Sequence, residues 1–338
     1  MNIVAELNAR WNEAARTAPS GHEWRGVALS VYAPVRLLAA VREPDGHITL
    51  LIEAPMSAAP SVRLRFETQG LSLTEHRRPA ENVFRIAVTL ERQELKDVFE
   101  ALCADLVAVV SPVVTAVAAF AAMTKRLEAW QACLRVRKGG LSREERIGLL
   151  GELVMLRLFA EVAGYNTAVE AWKGPIDGIH DFMAGGAAVE VKSVLGIGSH
   201  LHISRFDQLE MTGLSSLTIS RVRFREGQDG ISLPGHIEGI RREIANASPA
   251  AVPDFDNKLL RAGYLDLDGQ LYSSACFVQE VLYCYAVDEK FPRIAREDIP
   301  PAVVDGSYIL DERALSSFRQ GRDYLCQVVR MNVGAAHD

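Results

Sequence analysis

The chain has 338 residues, 49% hydrophobic and 24% charged, with a formal net charge of -6. This is ordinary globular material with room for two domains; the acidic total excludes indiscriminate coating of nucleic acid but leaves a local basic groove open to phosphates. Five scattered cysteines, at 103, 133, 276, 284 and 326, exclude a disulfide scaffold and suit a reduced cytoplasm.

Met1-Asn2-Ile3 opens without the basic and apolar stretches of a signal peptide, so a cytoplasmic location is expected. Strand-like runs follow at 26–32, 35–41, 47–52, 61–66 and 83–90, with Asp45-Gly46 as a turn signal. They predict a mainly antiparallel β domain trailed by helices over 92–135. Residues 106–123 approach the roughly 20 apolar residues of a membrane span. The stretch is alanine-rich, however, and Ser111-Pro112 reads as an N-cap with proline at the first helical position, which splits it into two soluble helices. No membrane association is expected. Lys138-Gly139-Gly140 is the natural linker between a β-rich domain at 1–136 and a second domain at 137–338.

The second domain opens with a capping-box signal, Ser142-Arg143-Glu144-Glu145, and a long apolar helix that Gly164 can end. Glu152 lies in it, between Leu149, Met155 and Leu156 at helical spacing. A carboxylate there is a surface residue on the helix border or is aimed at a site, because uncompensated burial of its charge is costly. Gly148 and Gly151 would bring the helix close to whatever it packs on, although glycine costs roughly 1 kcal/mol relative to alanine in a helix interior.

The most informative stretch runs from Asp181 to Lys192. Gly185-Gly186 suits a two-residue type I′ turn, which needs positive φ at both positions. That turn pairs Ala184 with Ala187, Met183 with Ala188, Phe182 with Val189 and Asp181 with Glu190. Direct cross-strand neighbours have Cβ atoms roughly 4.5–5.5 Å apart, and like charges so placed are destabilising. Period-two alternation puts Glu190 and Lys192 on one face and Val189 and Val191 on the other. A divalent cation between the carboxylates would turn repulsion into attraction. A solvated hairpin with Lys192 as neutraliser is the ordinary alternative, and a slip of one residue would break the pairing.

Further along, 201–204 reads as a short strand leading into a helix at 205–209 that carries Gln208. Arg221, Arg223 and Arg225 alternate with apolar residues, so a strand would set all three on one face. That is a phosphate-tracking strip or an edge protected by charge. Arg135, Arg137, Lys138 and Arg143 form a second basic cluster. A loop at 227–230, helices over 234–245 and 254–262, and strands near Leu271 and over 277–287 complete the chain. His76, His180, His200 and His202 lack zinc-site spacing. No GxSxG, Walker A or dinucleotide fingerprint occurs, and no internal repeat or low-complexity tract.

Glu152 on a helix, Asp181 at a strand start and Glu190-Val191-Lys192 on the next strand resemble the PD-(D/E)XK signature of restriction-endonuclease-like nucleases. The ordered segments 148–153, 180–182, 189–193 and 203–209, with 291–294 and 307–310, are similar to a family of bacterial PD-(D/E)XK proteins encoded near restriction and phage-defence genes. The resemblance implies an α/β core, a mixed sheet flanked by helices, behind the β-rich N-terminal domain. It implies a DNA endonuclease dependent on magnesium, or manganese in its place, with Asp181, Glu190, Glu152 and the Val191 carbonyl as ligands. Lys192 would orient the attacking water, and Gln208 would hold a water or a phosphate. One departure matters: His180, not proline, precedes Asp181, and Gly174-Pro175-Ile176-Asp177 keeps Asp177 in reserve as the first ligand. The resemblance also leaves room for an ATPase or methyltransferase partner of a defence system and for a homodimer. A catalytically silent nuclease fold, serving as a nucleic-acid-binding or assembly subunit, is the alternative.

Overall fold

The computed structural model describes residues 2–18, 21–66, 68–136, 139–176 and 178–334, in two units, Met1–Arg137 and Lys138–Asp338. In the first unit, helix α1 (Ile3–Arg16) starts where the Asn2 side chain accepts the Val4 N–H. Its buried stripe Leu7, Trp11 and Ala14 follows helical spacing, and Trp11 Nε1 donates to the Thr49 carbonyl at 2.9 Å. Strands β1 (Trp24–Ala28), β2 (Arg36–Arg42), β3 (Ile48–Pro55), β4 (Leu71–Arg78) and β5 (Val83–Leu90) form an antiparallel sheet in the order β1-β2-β3-β5-β4. Helices α2 (Lys96–Val110) and α3 (Ala116–Val136) follow, and Phe99 of α2 stacks on Trp11.

Two expectations for this unit are corrected, and one helix was not read. Residues 61–66 are not a strand; the fourth strand is β4, whose polar run Ser-Leu-Thr-Glu-His is tolerated because an edge strand meets solvent. Helix α1 carried too little apolar signal to be read. Ser111 does not cap α3: its hydroxyl donates back to the Val107 carbonyl at the end of α2, and Pro112 lies in the connection. Among the described residues no helix is long and apolar enough to cross a membrane. Arg137 and Lys138, of the expected linker and basic cluster, lie outside the described residues.

In the second unit the capping box forms as read: Ser142 Oγ accepts the Glu145 N–H at 3.2 Å and Glu145 returns the bond to the Ser142 N–H at 2.7 Å. Helix α4 (Arg143–Ala171) bends at Gly164, whose φ of 80° ends one helical run before the next begins. The sheet comprises β6 (Phe182–Ala184), β7 (Ala187–Leu195), β9 (Ser216–Ser232), β10 (Cys276–Val287) and β12 (Arg319–Gln320) in the order β12-β10-β9-β7-β6. β7 and β9 are parallel and the remaining pairs antiparallel, giving a mixed sheet. Helices α4, α5 (Leu233–Ala247), α6 (Val252–Arg261), the short α7 (Gly269–Tyr272) and α8 (Arg322–Gly334) supply the core on one face. A two-stranded sheet of β8 (His200–Ile203) and β11 (Tyr308–Asp311) covers the other through Leu201, Ile203, Tyr283 and Tyr285. The mixed α/β class expected from the resemblance is the one found.

Residues near Leu271 are helical, not a strand, and Gln208 sits on a single 3₁₀ turn, Phe206–Leu209. The loop expected at 227–230 belongs to β9, where the register with β10 passes from Glu226↔Phe277 to Ser232↔Cys276 through a bulge. Both faces of β7 are covered, so its polar residues do not face open solvent.

Candidate active site

Gly185 and Gly186 take φ of 52° and 90°, the two positive values of a type I′ turn, and pair Ala184 with Ala187, Met183 with Ala188 and Phe182 with Val189. The ladder stops one step short of Asp181. Its backbone carbonyl turns away to accept the N–H groups of Lys173 (2.6 Å) and Gly174 (3.0 Å), while Oδ2 accepts the Val191 N–H at 2.7 Å. The carboxylate is thereby tied to the strand that carries Glu190.

Glu190 is 3% exposed and Lys192 lies beside it, with Nζ 2.8 Å from Oε1. Gln208 closes the group. Its Nε2 donates to Glu190 Oε1 at 2.5 Å, and its Oε1 accepts from Lys192 Nζ (3.2 Å) and from the Ser204 N–H (3.0 Å) and hydroxyl (3.2 Å). His180 Nε2 donates to the Gln208 backbone carbonyl at 3.0 Å, and burial pushes that imidazole below its ordinary pKa, which suits a neutral donor. Glu190 Oε2 is buried with no hydrogen-bond partner. Burial, then the charge of Asp181, push the Glu190 carboxyl up to about 8, outweighing the pull of Lys192 and Gln208.

Glu152 approaches from α4 on the opposite side of β7. Gly151 allows this, since a Cβ there would stand 1.7 Å from Ser193 Oγ and 3.2 Å from Val191 Cγ1. Gly148, read as a second close approach, has open space instead. Glu152 Oε2 accepts the Trp172 indole N–H at 2.6 Å. Burial and the neighbouring Asp181 push its proton affinity well up, and burial raises that of Asp181 as well. Around Gly174, an added Cβ would come 2.8 Å from Asp181 Oδ1 and 3.0 Å from Glu152 Oε2, so the two carboxylates flank a space kept open by a missing side chain.

Among the described residues no three His, Cys, Asp or Glu side chains are gathered into a ready-made metal cluster. The donors nonetheless fit a hard divalent cation. They are all oxygens, two flank the Gly174 gap, one is buried without a partner, and their raised proton affinities mark an unmet need for positive charge. Magnesium takes few protein carboxylates and keeps several waters, so a full protein cage is not required.

A family model described as "putative PD-(D/E)XK family member" (DUF4420) matches residues 6–312. The chain belongs to that family. No curated protein and no solved structure matches it. PD-(D/E)XK proteins generally depend on a divalent metal, which agrees with the oxygen-only donor set found here.

In this PD-(D/E)XK protein, Asp181, Glu190, Lys192 and Gln208 are brought together and Glu152 reaches Asp181 across Gly174. Val191 contributes its N–H to Asp181. Asp177 lies outside the described residues. Of the expected arginine strip, Arg221 is withdrawn from solvent while Arg223 and Arg225 stay partly exposed on β9. Arg221 is buried, ion-paired with Glu312 at 2.7 Å and directed at the carbonyls of Lys192, Gly198 and His200. Arg225 pairs with Asp229 and Glu280, and Arg143 with Glu226. Period-two patterning assigned the arginines a face but could not reveal that β8 and the segment after β11 cover Arg221.

Trp172, His180, Ser204 and Lys258 escaped sequence reading. Lys258 is buried, donates to the Val169 and Trp172 carbonyls at the end of α4, and is pushed down to about 8 by burial and by Lys173. A lysine in an amphipathic helix carries no sign of such a role; only the adjacency of His180 to Asp181 was available as a hint.

Proposed function

We propose that this protein is a magnesium-dependent endodeoxyribonuclease, one component of a restriction or phage-defence system. What supports the reading most is the Glu190–Lys192–Gln208 group beside Asp181, three polar side chains held together largely out of water at a cost in desolvation energy. Burying such a group without chemical use is unfavourable compared with an apolar core.

Asp181, Glu190 and Glu152 would hold the cation, with the Val191 carbonyl as a further oxygen donor. When bound, the cation supplies Lewis acidity toward a phosphoryl oxygen and lowers the pKa of water. Lys192 Nζ presents donors that orient a water for in-line attack on phosphorus and that stabilise the charge gathering on the phosphoryl oxygens. Gln208 fixes the ammonium through Oε1 and Glu190 through Nε2, so the amine keeps its aim. The water oxygen would bond to phosphorus and release a proton to solvent as the bond to the opposite ester oxygen breaks, and that oxygen would take up a proton from solvent.

Plasmid and single-stranded DNA incubated with wild type, Asp181→Ala and Lys192→Ala in magnesium or manganese test the reading. Cleavage by wild type that both variants lose is the expected result. DNA retention without cleavage, equal in all three proteins, would instead favour a silent binding subunit, a reading to which the direct Lys192–Glu190 contact lends some support.

A further inference from the structure

Trp172 contacts both Glu152 and the strand that follows Asp181. Its indole N–H donates to Glu152 Oε2 at 2.6 Å, and its backbone bridges Phe182, the residue next to Asp181. Its carbonyl is gripped by the buried Lys258 ammonium, which also takes the Val169 carbonyl one turn earlier. Its ring is wholly buried, with Phe255 of α6 at 6.0 Å between centroids. α4, which carries Glu152, and β6, which follows Asp181, are thus joined through one side chain and one backbone.

We propose that Trp172 is the positioning residue of the cation site: it sets the separation of Glu152 and Asp181 across the Gly174 gap, and Lys258 locks it there. The inference rests on the nuclease reading above and deepens it. The geometry supplies the reason. A glutamate has three rotatable side-chain bonds, and a hydrogen bond to a rigid, immobile donor selects one carboxyl orientation. The donor itself cannot drift, because its backbone is fixed at both the strand and the helix end. The same arrangement makes Trp172 a reporter. Of the four tryptophans, Trp11, Trp24 and Trp130 belong to the first unit, so Trp172 is the one tryptophan of the second.

The test uses the full chain without DNA. Calorimetric titration with manganese is expected to show affinity lowered about 10–100-fold in Trp172→Phe, the usual effect of losing a partner of a ligating side chain. Magnesium is expected to change the tryptophan emission of wild type saturably, with no such change in Trp172→Phe or Glu152→Gln. Wild-type manganese affinity in a folded Trp172→Phe overturns the proposal, as does a wild-type emission indifferent to magnesium that calorimetry shows to be bound. If Trp172→Phe does not fold, the wild-type and Glu152→Gln emission comparison decides. Lys192-dependent cleavage together with unchanged manganese affinity in Trp172→Phe defeats this inference alone. A wild type that binds neither cation defeats it together with the proposed function.

Discussion

Gln208 donates to Glu190 Oε1 at 2.5 Å, so a neutral amide shares that carboxylate oxygen with the Lys192 ammonium. Gln208→Leu removes the donor and leaves a buried acceptor poorly satisfied. The expected cost is about 1–3 kcal/mol, read from urea unfolding. If the amide also aims Lys192 in catalysis, cleavage falls by roughly tenfold or more. An unchanged urea midpoint would show that Glu190 does not depend on the amide.

The buried carboxyls make stability depend on pH in the unusual direction. Glu190 is raised from 4.5 to about 8, and Glu152 and Asp181 are raised too. The folded state then holds protons that the unfolded chain has released, so this contribution is fully present below the unfolded value and is lost as pH rises through the folded one. Thermal midpoints in a chelator are therefore expected to fall between about pH 5 and pH 9. Glu190→Gln should flatten that slope, and saturating magnesium should offset it at the alkaline end, because a cation selects the deprotonated form. A wild-type midpoint that climbs over this range would contradict the assignment.

Gly151 and Gly148 should respond oppositely to alanine. At Gly151 the new Cβ meets Ser193 Oγ at 1.7 Å and Ser193 Cβ at 3.0 Å. Overpacking of about 1–3 kcal/mol outweighs the roughly 1 kcal/mol that alanine contributes to helix propensity. Gly151→Ala should lower the melting temperature, and adding Ser193→Gly should recover much of the loss. At Gly148, with open space, alanine should raise stability by up to about 1 kcal/mol.

Arg221 and Glu312 are both nearly inaccessible, so removing either charge strands the other. Arg221→Ala or Glu312→Ala is expected to cost about 3–5 kcal/mol in urea unfolding, whereas Arg221→Met with Glu312→Leu should recover most of it. Equal losses in the single and double variants would argue that packing, not charge, makes the contact.

The Asp181–Lys192 hairpin was legible because its causes are local. Two residues without Cβ atoms select the turn, and strand period carries the register outward to Val189. The Ser142 capping box, β5 and β10 were legible for the same reason. Each is specified by side chains within a few residues of one another, as is the ordered acidic and lysine set that carries the family resemblance.

Tertiary structure alone decided what those residues touch. Gln208 reaches Glu190, Trp172 reaches Glu152, and Arg221 turns from an expected phosphate contact into a buried partner of Glu312, each across a long stretch of chain. Helix α8 likewise holds its place through neighbours far away in sequence, whereas β4, which pairs with the following strand β5, was missed because its polar run carries little apolar alternation. The sequence determined local geometry and the identity of the acidic residues, because backbone sterics and alternation act between neighbours. Burial, which raises the carboxyls' proton affinities and fixes their partners, arises only when the helices with α4 on one face of β7 and the layer of β8, β11 and the Gln208 turn on the other have packed against it.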